Sequence, residues 1–215
     1  YRGLFHHGRG EADATLAHLV PIYRANPGDD RVALAVAEAS LWKKDYQTAL
    51  GIVTELRAPD APEALRVRGM VFEQAGRLAD ALALYEQAIP RLTEPWGAME
   101  RKALVLSWMK RFEEALATYR KISESERASE PLRHRCRVRM AEIAAWQKDY
   151  DGALAQLDDL LEQAPREVEA LLLKGQILEW KGEFAAAKRA YSRILSIDAS
   201  QTEARLRLDK LLWVK

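Results

Sequence analysis

Apolar positions along this chain recur every three to four residues, the spacing of one helix face, and a two-residue alternation that would suggest a strand in isolation is found at 133–139. The helical stretches are punctuated at Asn26-Pro27-Gly28-Asp29, Ala75-Gly76, Glu94-Pro95, Ala164-Pro165 and Lys181-Gly182, where glycine and proline predict turns. A longer rhythm is laid over this one. Ala49, Ala81, Ala115, Ala153 and Ala187 follow one another at intervals of 32, 34, 38 and 34 residues. Each closes a string that begins seven residues earlier: Trp42…Tyr46, Trp108…Phe112, Trp146…Tyr150 and Trp180…Phe184, with Gln74…Leu78 as a weaker fifth copy. A fixed period of this size predicts stacked helical units, each packed only on its neighbours.

Two helices per unit joined by a tight turn resemble the tetratricopeptide repeat (TPR) family. Small residues stand where the two helices of such a repeat approach most closely: Ala37, Gly69, Ala103, Ala141 and Gly175 at position 8, and alanine at position 20 five times. Position 24 reads Val53, Tyr85, Tyr119, Leu157 and Tyr191, also in keeping with the family. Position 27 departs from it, with alanine only at Ala88 and Leu56, Ile122, Leu160 and Ile194 elsewhere, so the stacking of successive repeats is expected to differ from the family average.

The resemblance implies an all-α, right-handed superhelical solenoid covering 1–215 as one array. It has a partial repeat (1–29), full repeats 30–61, 62–95, 96–133, 134–167 and 168–201, and a terminal helix 202–215 with Trp213 near its end. The first full repeat is two residues short. The third is four residues long, by a longer second helix or a protruding loop, and Pro131 suits the first turn of the helix after it.

In this frame Trp42, Trp108, Trp146 and Trp180 all fall at position 13, the end of the first helix. In the family, first helices line a concave face, and positions 2, 5, 9, 12 and 13 commonly touch ligands. Helix geometry also places them on one stripe. Two readings stand side by side: the indoles contact a ligand, or each folds back on the aromatic at position 17 and seals the turn. Glu38 and Glu142 at position 9 and Glu73 and Glu179 at position 12 share the stripe, with Glu63, Glu100 and Glu169 nearby and Arg31, Arg66 and Arg135 against them. Carboxylates beside indoles suit a cationic or hydroxyl-rich ligand. Alternatively they are good helix formers on a wet face.

The run Arg133, Arg135, Arg137 and Arg139 lies near a helix start, where positive charge opposes the helix dipole, so it calls for acidic neighbours within the chain or an anionic partner. With 33 Lys and Arg against 32 Asp and Glu, the net charge of +1 gives no bulk attraction to nucleic acid or to an anionic membrane. No stretch approaches the ~20 apolar residues of a membrane-spanning helix. One cysteine, Cys136, excludes an internal disulfide and cysteine-based zinc spacings, and adjacent His6-His7 have no supporting ligand set. Neither metal nor cofactor is expected, and no catalytic constellation is present. The start at Tyr1 without a signal peptide reads as a piece of something longer.

The resemblance therefore implies a non-enzymatic scaffold for a protein partner or peptide segment. The string Trp-x-[Lys/Gly]-x-[Tyr/Phe]-x-x-Ala is also similar to one in the Trp-rich periplasmic TPR arrays of bacterial exopolysaccharide export outer-membrane proteins. That similarity implies a role in exopolysaccharide export or biofilm assembly and favours a periplasmic setting. The alternatives are a groove that guides a secreted polysaccharide directly, and a cytosolic peptide-binding adaptor.

Overall fold

The computed structural model describes residues 8–212, and among them the chain forms twelve α-helices, a 3-10 turn at Ile89–Arg91 and no strand. Helix α1 (Gly8–Ala25) is followed by five pairs: α2/α3 (Asp30–Trp42, Tyr46–Thr54), α4/α5 (Pro62–Gln74, Leu78–Ala88), α6/α7 (Trp96–Trp108, Phe112–Ser123), α8/α9 (Glu130–Trp146, Tyr150–Gln163) and α10/α11 (Val168–Trp180, Phe184–Ile197). Helix α12 (Thr202–Leu212) follows. His6, His7 and Trp213 lie outside the described residues.

Every first helix ends at position 13 and every second helix opens at position 17, because all five turns close in one way. The N–H groups of Asp45, Arg77, Arg111, Asp149 and Glu183 donate to the carbonyls of Ser40, Phe72, Leu106, Ala144 and Leu178 at 2.8–3.0 Å. This is the hydrogen bond that stops a helix when the residue just past its end turns left-handed. That residue is Lys44, Gly76, Lys110, Lys148 or Gly182, with φ between 60° and 77°. Left-handed backbone costs a residue bearing a Cβ about 1–2 kcal/mol and glycine nothing. The lysine-or-glycine choice at position 15 is therefore a backbone matter.

Contacts divide the chain between Ala115 and Leu116 into two compact units. In the N-terminal unit α2 packs on α3 and α4, and α4 on α5 and α6, while the second helices α3 and α5 pack on the first helix that follows. The C-terminal unit repeats the arrangement with α8 on α10, α9 on α10 and α11 on α12. Its core gathers Leu157, Leu160, Ile177, Tyr191 and Ile194, all at 0 % exposure. Burying an aliphatic side chain of this size stabilises by about 1.5–3 kcal/mol.

The small residues earn their places by contact. All five position-20 alanines are fully buried. A Cβ on Gly69 would stand 2.7 Å from the Tyr85 ring, and one on Gly175 would stand 2.4 Å from that of Tyr191. Where position 24 holds the smaller Val53 or Leu157, position 8 is alanine. The bulky residues at position 27 are core residues, Leu56 at 8 % and Ile122, Leu160 and Ile194 at 0 %.

The four extra residues of the third repeat enter neither a longer second helix nor a protruding loop. They extend the front of α8, which has 17 residues where α2, α4, α6 and α10 each have 13. Helix α7 keeps an ordinary 12, and Pro131 sits in the first turn of α8, where its missing N–H is not needed.

Candidate functional site

The described structure places three of the position-13 tryptophans at the surface: Trp42 is 38 % exposed, Trp146 39 % and Trp180 50 %, with Trp108 half-buried. The ring that Trp180 meets is not Phe184 of its own repeat. It is Tyr150 at the head of α9, one repeat back, with centroids 6.3 Å apart and planes inclined at 45°. The indole therefore bridges repeats rather than sealing its own turn.

In the N-terminal unit the stripe walls a hollow of about 380 Å³. Glu38 and Trp42 come from α2, Glu63, Arg66 and Met70 from α4, and Glu100 and Arg101 from α6. The 2, 5, 9 and 13 positions of three successive first helices thus converge, with Arg101 added from position 6.

The four glutamates expected in a ligand groove are all engaged by arginines. Arg66 meets Glu38 at 3.0 Å and Glu63 at 2.7 Å. Burial works against the Arg66 charge, but these carboxylates hold its pKa above the usual guanidinium value. Glu73 is not a groove residue. Its side chain is 1 % exposed, accepts a hydrogen bond from the Tyr85 hydroxyl at 2.7 Å and is paired with Arg101 at 2.8 Å. Burial pushes the Glu73 carboxyl above its ordinary range, against the opposing pull of Arg101 and Tyr85. Burial, reinforced by Glu73, raises the Tyr85 phenol well above 10.0.

Glu179 occupies the matching place in the C-terminal unit, taking the Tyr191 hydroxyl and Arg207 at 3.3 Å, with its side chain 24 % exposed. Glu142 is paired with Arg139 at 2.8 Å, and the same guanidinium reaches Glu169 of α10 at 2.5 Å. Burial raises the Glu169 carboxyl despite Arg139 and Arg135 beside it. Glu169 and Glu179 accordingly join successive repeats, as Glu73 does, whereas Glu142 pairs within its own helix.

Two arginines of the run, Arg137 and Arg139, meet acids inside the chain. Arg139 is spent on Glu142 and Glu169, Arg137 bonds Asp159 and Gln163 of α9, and Arg133 and Arg135 are half-buried on α8. His134, between them, lies 3.4 Å from Glu167 and 3.8 Å from Glu130.

Sequence reasoning missed the residue sets that join repeats. Their signal is an arginine 28 residues after a glutamate, as in Glu38/Arg66, Glu73/Arg101 and Glu179/Arg207. Among the described residues no helix is long and apolar enough to cross a membrane.

Two family models match the sequence: one described as a tetratricopeptide repeat-like domain over residues 101–212, and one as a tetratricopeptide repeat over residues 44–95. No curated protein matches it. Among solved structures, a chain of the APC/C hetero-tetramer Cut9-Hcn1 is similar over 94 % of this chain, with a TM-score of 0.72 and 12 % identity. This chain spans only 40 % of the length of that one. YrrB, described as a TPR protein with an unusual peptide-binding site, gives a TM-score of 0.55 at 19 % identity, covering 90 % of this chain and 98 % of its own. MamA from Desulfovibrio magneticus gives 0.61 at 16 % identity, covering 81 % of this chain and 98 % of its own. At such identities the likeness is one of fold. The longer family match takes in more than half of the sequence, and its repeat frame is the one the helices follow: the chain belongs to the tetratricopeptide repeat family.

Proposed function

We propose that this chain is a non-enzymatic scaffold that holds partner-protein segments on the first-helix stripe of each unit, with Trp42 as a contact point in the N-terminal unit and Trp146 and Trp180 in the C-terminal unit. The observation that carries this reading is the hollow in the N-terminal unit, built from groove positions of three successive helices with the Trp42 indole in its wall. Its volume of about 380 Å³ lies in the range of binding sites. Exposed, rigid aromatic rings are the side chains that anchor protein contacts most often. YrrB, of similar fold, has a peptide-binding site, which favours a peptide as occupant.

The string behind the exopolysaccharide expectation has a simpler account. Its lysine or glycine is the left-handed residue of the turn, and its alanine is the buried contact between helices. Those two positions therefore argue for the repeat itself.

The test is a photo-crosslinking residue placed at position 42, 146 or 180, with exposed Gln87 of α5 as the control, in the presence of proteins from the source cells. Groove positions should capture one discrete protein that the control does not. Equal capture from Gln87, or capture of polysaccharide alone, would end this reading.

A further inference from the structure

We infer that His134 is a proton-operated latch between the fourth and fifth repeats, closed while its imidazole is charged and slack once it is neutral. The side chain is only 16 % exposed, and both of its ring nitrogens face carboxylates. Nδ1 lies 3.4 Å from Glu167, and Nε2 lies 3.8 Å from Glu130. Two features of the fold bring those acids there. Glu130 stands in the extra turn that α8, alone among the five first helices, adds at its front, one turn ahead of His134 and on the same face. Glu167 caps α10, yet its side chain makes no hydrogen bond to that helix end, whereas Asp29, Asp45 and Asp149 each do so at theirs. It reaches back to α8 instead.

The chemistry of the ring makes this contact depend on charge. A neutral imidazole carries one N–H and one lone pair, so whichever nitrogen donates, the other turns a lone pair on a carboxylate. The imidazolium has two N–H groups and serves both acids at once. Histidine is also the side chain that ordinarily changes charge between about pH 5 and 8. The other charged groups around it have partners or directions of their own. Towards α9, Arg137 bonds Asp159 and Gln163. Towards α10, Arg139 takes Glu169 together with Glu142. Arg166, just before Glu167, is exposed. Arg133 and Arg135 adjoin His134 in sequence, but successive helix positions lie about 100° apart, so neither shares its face. Their charge opposes that of the ring, and the two facing acids supply the counterweight. What the latch holds is the joint between α8 and α10, the helices that end on the exposed Trp146 and Trp180.

The test is a set of thermal melts of the full chain at about pH 5.5 and about pH 8, comparing the wild type with His134→Gln, each also in a Glu167→Gln background. At the lower pH His134→Gln should melt about 1–3 °C below the wild type, and at the higher pH that gap should close. The difference between the two chains removes the titration of every other group they share. In the Glu167→Gln background the same change should lose most of its effect at the lower pH, with Glu130 accounting for the remainder. A gap that does not change with pH would overturn the latch. So would a gap just as large when Glu167 has been replaced.

Discussion

The cluster around Glu73 in the N-terminal unit and the cluster around Glu179 in the C-terminal unit are built from the same parts. Each has a glycine four residues before the glutamate, a second glycine three after it, a tyrosine twelve after it and an arginine twenty-eight after it. Each glutamate takes the tyrosine hydroxyl and the arginine together. The surroundings differ. Glu73 is 1 % exposed at its side chain and Glu179 is 24 % exposed. The wiring is thus set by residue type and spacing, whereas its energetic weight is set by how completely neighbouring helices exclude water. A buried partner left alone costs far more than one that water can reach.

Removing the glutamates should give the largest contrast. Glu73→Leu strands the Arg101 guanidinium and the Tyr85 hydroxyl, and should cost about 3–5 kcal/mol in urea denaturation. Glu179→Leu should cost about 1 kcal/mol, because Arg207 keeps Glu203 at 3.1 Å and some contact with water. Equal losses would break the comparison. Adding Arg101→Leu to Glu73→Leu should return part of the stability, since no unpaired charge then remains.

Next in size is crowding at the glycines. Gly175→Ala and Gly69→Ala should each destabilise by about 1–3 kcal/mol, Gly175→Ala more, because its added methyl meets the ring at 2.4 Å rather than 2.7 Å. Combining Gly175→Ala with Tyr191→Leu should recover most of the loss in thermal melts, since Ala141 and Leu157 already form that pair. Failure to recover would mean that the ring is not what the glycine accommodates.

A pH series sharpens the buried side of the contrast. The folded-state pKa of Glu73 lies above its ordinary value, so folding favours its protonated form. That contribution is fully present below the unfolded pKa of about 4.5 and is lost as pH rises through the raised folded value. The stability difference between the wild-type chain and Glu73→Gln should therefore move in favour of the wild type as pH falls from neutrality toward that range. A difference that is flat with pH would contradict the assignment.

The smallest effect is expected at the turns. The two clustered repeats carry glycine at the left-handed position, Gly76 and Gly182, while Lys44, Lys110 and Lys148 occupy it elsewhere. Each Lys→Gly change relieves strain but loosens the unfolded chain, for a net gain below about 1 kcal/mol. Gly76→Lys should lose a similar amount. Melting temperatures that do not respond in these opposite senses would mean that position 15 is not strained.

Much of the fold was legible because its determinants are local. Position 13 ends a helix and position 17 begins one in all five pairs, and the small residues at positions 8 and 20 mark the closest approach of two helices. The candidate site was legible only as a face. Glu73 and Trp42 share the stripe, yet one is sealed beneath it and the other stands out of it. Periodicity assigns a residue to a side of its helix but carries nothing about what the next repeat brings against that side. The arginine that claims Glu73 sits 28 residues away. Likewise the extra residues before Pro131 could be counted, but whether they lengthened the helix behind or the helix ahead depended on packing.

The ion pairs between successive first helices also limit how these repeats could be rearranged. Glu38 to Arg66, Glu73 to Arg101 and Glu179 to Arg207 run from an acid in one repeat to a base in the next, whereas Arg139 to Glu169 runs the other way. A repeat cut from one place and grafted at another would not in general bring each of these residues the partner it has now. The units look interchangeable in outline, but at these four joints a repeat is keyed to its successor, and a shuffled array would have to carry those joints with it.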